Sequence, residues 1–172
     1  MYPRAKTLGL IFNENGILLE EQEGIHSKGK GYFYRPIGGT IEIDEKSVET
    51  LIREFKEEIK VEVMIKDYVT CIENIFKIDN NIGHEIIQIY LVEFKDKTLY
   101  KKESFEIIEG NKTTYAKWVS LAEISEGKKV LYPDGLFELL QEKFQNPYST
   151  KNDFKCNKYI ESYKINLKNV PK

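Results

Sequence analysis

The stretch Gly38–Val61 reads GGTIEIDEKSVETLIREFKEEIKV, and its spacing decides the fold. From Lys46 to Ile59 the apolar residues Val48, Leu51, Ile52, Phe55 and Ile59 recur at helical intervals, which predicts a helix with one buried stripe. Asp44 stands where an N-cap is expected. Glu45 falls in the first turn, where the positive end of the helix dipole favours an anion. At about 100° per residue Glu54 and Glu58 lie one above the other, with Glu57 about 60° to one side. Three carboxylates therefore converge on a face turned away from the core stripe. Like charges at these spacings destabilise a helix by roughly 0.2–0.5 kcal/mol per pair. A divalent cation reverses that sign, because hard oxygen ligands so placed can share Mg²⁺ or Mn²⁺.

An acidic helix face alone is ordinarily solvated surface, neutralised here by Lys56, Lys60 and Arg53. The neighbouring residues shift the balance. Gly38 and Gly39 follow Pro36, so the backbone before the helix can take φ > 0 and lie close to a ligand. Arg53 precedes Glu57 by one helical turn, near enough to pair with it and hold the cluster. Gly39, Glu45, Arg53, Glu54, Phe55, Glu57 and Glu58 then fall at the intervals G-x5-E-x7-R-E-Φ-x-E-E.

With Val61 added, the segment resembles the Nudix box, G-x5-E-x7-R-E-U-x-E-E-x-G-U, where U is a bulky apolar residue. The lead-in YRPIGG (34–39) also resembles the loop that enters the box in many members. Lys60 departs from the pattern. It stands at the second box glycine, which ends the helix in a left-handed conformation; a non-glycine there costs on the order of 1 kcal/mol. That glycine is not a metal ligand in the family, so the departure touches the helix end and not the chemistry.

The resemblance spans Arg4 to about Phe144 and implies an α/β fold, an α/β/α sandwich with a mixed β-sheet between helices. It implies a metal-dependent hydrolase in which water cleaves a pyrophosphate bond of a nucleoside diphosphate linked to another moiety. Mg²⁺ or Mn²⁺ is the implied cofactor. Glu54 and Glu58 would be the principal ligands, Glu57 a further ligand or base, and Arg53 a positioner of the carboxylates. Glu45 would be structural or an outer ligand. Gly38, Gly39, Arg35 and Tyr34 would meet substrate. Family members often draw an extra ligand or general base from the region before the late strand. Among Glu103, Glu106 and Glu109 there, Glu109 is the first choice, against a reading of all three as solvated loop residues. A non-catalytic, nucleotide-sensing module of the same fold is the alternative, and the full R-E-x-x-E-E set argues against it. A related prenyl-diphosphate isomerase would need a cysteine near the site, and neither Cys71 nor Cys156 falls in the box.

The 172 residues, 41% of them apolar, suffice for one well-buried core. A net charge of −2, with Lys and Glu intermixed, gives no basic surface for nucleic acid. No apolar run reaches the length of a membrane span, and the opening MYPRAKTLGLIFNENG has no signal-peptide core. Cys71 and Cys156 make neither a disulfide framework nor a metal cluster, so a reduced, cytoplasmic protein is expected. Its partner would be a small molecule, with a homodimer left open.

Along the chain, 5–12 and 17–22 read as strands joined by a hairpin at Asn13-Glu14-Asn15-Gly16. The polar segment 23–30 reads as a loop. Short strands at 32–35 and 40–43 flank the Pro36–Gly39 turn. After the helix come strands at 61–65, 69–78, 84–94 and 115–119, then a helix over 134–144 after Pro133. His84 and Glu85 read as a solvated hairpin end that would otherwise approach the metal. Trp118 and Cys71 read as core. Tyr32, Phe33 and Tyr34 divide evenly between core packing and contact with a base. A domain over 1–145 would precede an extension, 146–172, rich in Asn, Lys and Tyr, whose aromatic content favours packing on the domain or a partner.

Overall fold

The computed structural model describes residues 2–145. The extension 146–172, with Cys156, lies outside the described residues. Nine strands and three α-helices follow one another in the described chain: β1 Arg4–Leu10, β2 Phe12–Asn13, β3 Gly16–His26, β4 Gly29–Arg35, β5 Ile37–Thr40, α1 Ser47–Glu58, β6 Val63–Ile78, β7 Asn81–Phe94, β8 Ser104–Glu109, β9 Lys112–Val119, α2 Leu121–Ser125 and α3 Leu136–Gln145.

The expected mixed sheet has the order β5-β1-β7-β6, with β1 parallel to β7 and every other pairing antiparallel. A second, antiparallel sheet runs β2-β3-β9-β8, and β4 pairs with the free side of β3. Alternation along the strands builds two cores. Leu8 and Leu10 of β1, Ile17 and Leu19 of β3, and Ile87, Ile89 and Leu91 of β7 face α2 and α3 through Leu121, Ile124, Leu136 and Leu140. Ile11, Leu18, Val92 and Phe94 turn the other way, toward Leu51 and Phe55 of α1. Helices thus cover opposite faces, and α1 comes close because Gly9 has no side chain: a Cβ there would lie 2.7 Å from Phe55 Cε2.

Helix α1 departs from expectation at both ends and on its stripe. Its N-cap is Lys46, whose N–H is taken by Glu49 Oε2 at 2.9 Å, while Asp44 sits two residues earlier with φ 69°. Ile52 stands 43% exposed, outside the stripe that Leu51 and Phe55 bury. Lys60 takes φ 58°, the left-handed conformation of the box glycine, and the Val61 N–H reaches back to the Phe55 carbonyl at 3.3 Å.

Several loops of the sequence reading are strand. Segment 23–30 extends the β3–β4 hairpin through the pairs Gly24↔Gly31 and His26↔Gly29, a ladder of backbone bonds that does not depend on apolar side chains. Strand β5 starts earlier than expected and ends at Thr40, leaving Ile43 94% exposed. Strands 61–65 and 69–78 are one strand, β6, whose register shifts at Ile65/Asp67 and Tyr68/Thr70 absorb the polar interruption. Glu103 stands just before β8, while Glu106 and Glu109 lie on it, paired with β9. Cys71, expected in the core, is exposed on β6. Trp118 is half-buried against the α1-side core, and its indole N–H donates to the Lys102 carbonyl at 2.7 Å.

Candidate active site

Arg53 is the hub of the carboxylate face. Its Nε and Nη2 donate to Glu45 Oε1 and Oε2 at 2.8 and 2.9 Å, a two-pronged pair. Its Nη1 donates to Glu54 Oε1 at 2.9 Å and, one helical turn on, to Glu57 Oε2 at 3.0 Å. Thr50 Oγ1 adds a bond of 2.6 Å to Glu45. The Arg53 hydrogen bonds, with that from Thr50, hold the Glu45 carboxyl down to about 2. The same bonds push the Arg53 pKa further up, the one to Glu45 most of all. Arg53 thus bonds Glu45, Glu54 and Glu57 at once.

The backbone beside the helix is shaped for the carboxylates. Gly39 lies opposite Thr7 in the β1–β5 ladder, and a Cβ on it would collide with the Glu54 carboxylate. Gly38 lies opposite Leu8, where a Cβ would strike the Thr7 carbonyl. Glu57 is the most open of the cluster, its side chain 59% exposed, whereas Glu58 Oε2 is shielded from solvent. Among the described residues no three acidic, imidazole or thiol side chains are gathered closely enough to hold an ion as they lie. Arg53 engages Glu54 and Glu57 instead. The donor set nevertheless fits a hard divalent cation: carboxylate oxygens on successive turns of one helix, against a backbone whose missing Cβ leaves room for Glu54.

The other expected site residues separate. Arg35 donates through Nε to the buried Glu20 at 2.9 Å and lines a cavity between the two sheets. Tyr34 points the opposite way into the α2/α3-side core, 3% exposed, with its hydroxyl donating to Glu21 Oε2 at 2.6 Å. Burial and that bond raise its pKa. Phe33, not Tyr34, faces the cavity. The backbone of Glu109 pairs with Lys112 at the β8–β9 hairpin, and its side chain lies outside the described residues. His84 Nε2 meets Glu73 at 2.7 Å at the far end of the β6–β7 hairpin. Glu85 is bound by Arg4 and Lys6 at 2.8 and 3.2 Å, on the sheet face away from α1. Sequence reasoning passed over Thr50, Lys6, Asn74 and Tyr132. Thr50 was legible from its place one turn after Lys46, while the other three come from distant parts of the chain and meet only in the fold.

The NUDIX domain family model matches residues 2–140. No curated relative matches the chain. Among solved structures, a NUDIX hydrolase from Nitrosomonas europaea superposes with TM-score 0.57 at 15% identity, covering 82% of this chain and 88% of that one. A MutT NUDIX hydrolase from Burkholderia pseudomallei gives 0.57 at 16% identity, over 83% of this chain and 98% of its own. An ADP-ribose pyrophosphatase from Streptococcus suis gives 0.55 at 19% identity, over 87% and 97%. Identities this low speak for the fold, which is shared. The family model goes further, since it takes in nearly all of the described residues with the box inside it; on that ground the chain belongs to the Nudix hydrolase family.

Proposed function

We propose that this chain hydrolyses a pyrophosphate bond in a nucleoside diphosphate linked to another moiety, with Mg²⁺ or Mn²⁺ held by Glu54, Glu57 and Glu58. The observation that carries the reading is the Arg53-held carboxylate set packed against Gly39. Bound there, the cation would neutralise phosphoryl oxygens and lower the pKa of a water. Arg53 fixes the rotamers of Glu54 and Glu57 in advance, so less reorganisation is needed when charge develops on phosphorus. Gly38 and Gly39 let the substrate approach the backbone of β5, and Arg35, three residues earlier, faces the cavity that would take the rest of the substrate. Glu57, the most exposed carboxylate of the set, and Glu109 are the two groups proposed to accept the proton of the attacking water. Tyr34 contributes by holding β4 through Glu21 and not by touching substrate.

The similar fold of an ADP-ribose pyrophosphatase supports a nucleotide derivative as substrate. No helix among the described residues is long and apolar enough to cross a membrane, and the free, exposed thiol of Cys71 fits the reducing cytoplasm. The deciding experiment is a screen of the purified chain against ADP-ribose, dinucleoside polyphosphates, NADH, nucleotide sugars and nucleoside triphosphates. Turnover should disappear in EDTA and return with Mg²⁺ or Mn²⁺. Turnover that persists in chelator would overturn the metal mechanism, and tight binding with no turnover of any of these would favour a sensor.

A further inference from the structure

Strand β1 lies beneath α1, and alternation sorts its side chains between the two faces of the sheet. Leu8 enters the α2/α3-side core, whereas a side chain at Gly9 would meet Phe55 on the α1 side. Thr7, two residues before Gly9, therefore faces α1 as well. It is fully buried, at 0% exposure. Among the described residues its Oγ1 has no hydrogen-bond partner. A buried hydroxyl is seldom left so, because it gives up its bonds to water and gains none in return.

The neighbours of Thr7 in the sheet do not satisfy it. On β7 it stands opposite Gln88, whose amide is turned to β6: Oε1 accepts from the Tyr68 hydroxyl at 2.8 Å, and Nε2 reaches Cys71 Sγ at 3.7 Å. On β5 it stands opposite Gly39, which has no side chain to offer. Directly opposed residues of an antiparallel pair hold their Cβ atoms about 4.5–5.5 Å apart. The Glu54 carboxylate occupies the place of the Gly39 Cβ, so it lies beside Thr7 on the same face. Arg53 Nη1 takes Glu54 Oε1 at 2.9 Å, and the Thr7 hydroxyl does not bond the carboxylate.

Packing alone does not call for a hydroxyl here. Valine has the same branched shape, suits a buried strand as well and has no polar group to desolvate. We propose that Thr7 is a positioning residue of the metal centre: its hydroxyl accepts a hydrogen bond from a water carried by the cation that Glu54 holds. Mg²⁺ dehydrates reluctantly and keeps several waters when protein carboxylates bind it, and the protons of those waters need acceptors. Such outer partners fix where the inner oxygens stand. Thr7 supplies one from the sheet, on the side of the carboxylates that Arg53, on the helix, does not reach across. The inference rests on the metal-dependent reading of the carboxylate face and adds to it a residue from outside the box.

The test titrates Mn²⁺ alone into the full chain by calorimetry, without substrate. Thr7→Val should weaken Mn²⁺ binding by about tenfold or more, the scale of losing an outer partner of a metal ligand. Its melting temperature without metal should stay level or rise, since a desolvated hydroxyl is gone. Thr7→Ser keeps the hydroxyl and should bind Mn²⁺ as the wild type does, even where the lost methyl lowers the melting temperature. In ¹³C-labelled wild-type protein, saturating Mg²⁺ should move the Thr7 Cβ resonance, a readout that does not depend on a variant folding. Mn²⁺ affinity equal in wild type and Thr7→Val, or a Thr7 Cβ unmoved by Mg²⁺, would overturn the inference and leave the proposed function standing. A wild-type chain that binds no Mn²⁺ would remove the metal reading and this inference together.

Discussion

The two faces of the mixed sheet are built on opposite plans. On the α1 face one guanidinium gathers Glu45, Glu54 and Glu57, and all four residues come from the single run 45–57. On the other face Lys6, Asn74, Glu85 and Tyr132 come from β1, β6, β7 and the segment before α3, and meet only because the sheet brings them side by side. The first face carries carboxylates gathered on a cation of the protein's own. The second carries Arg4 and Lys6 on one carboxylate, that of Glu85. Chemistry that depends on helical spacing is written locally, whereas recognition that depends on strand pairing is spread over the chain. A mutation on either face should therefore disturb the contacts of that face and spare those of the other.

The largest expected effect tests that separation directly. Glu58→Gln keeps size and removes a charge, so kcat should fall by at least about 10²-fold, the scale of losing one electrostatic contact to a transition state. Circular dichroism should be unchanged. Full activity would remove Glu58 from the site.

A smaller effect belongs to the α1 face alone. Glu45 is held down to about 2 in the fold, below the ordinary carboxylate value of 4.5. A group whose folded pKa is depressed stabilises the protein above its unfolded pKa, and that contribution is lost as pH falls through the folded one. The melting temperature should therefore drop as pH goes from about 4.5 toward 2, and part of that slope should vanish in Glu45→Gln. An identical slope in wild type and variant would mean that the Arg53 bonds add nothing to stability.

The smallest effect concerns the helix end. Lys60 is left-handed at φ 58°, and its Nζ donates to the Glu57 carbonyl at 2.8 Å. Lys60→Gly should raise stability by up to about 1 kcal/mol in urea denaturation, with turnover little changed. A large loss of turnover would place Lys60 at the substrate and join the helix end to the chemistry.

How much could be read beforehand follows from the same contrast. The helix, its acidic face and the left-handed Lys60 were legible because each is a matter of spacing within one element. The loop assigned to 23–30 was not, because a polar stretch becomes strand when the opposite strand continues beside it, as Gly24↔Gly31 shows. Tyr34 and Phe33 could not be told apart, since alternation says that they face opposite ways but not which way is inward. Asn74 left no signal at all: a lone Asn in an apolar-alternating run is unremarkable until Glu85 and Lys6 are set beside it.

Strand β1 belongs to both faces at once. Lys6 faces the cavity, while its neighbour Thr7 lies opposite Gly39 on the side of the carboxylates. Because side chains alternate strictly, a slip of β1 by one residue would exchange the two, handing the ammonium to the carboxylate side and the hydroxyl to the cavity. The cavity and the carboxylate face are thus phase-locked through one strand, like two cams on a single shaft. Residues can be substituted on either face independently, but a residue cannot be inserted into β1 without throwing both out of time.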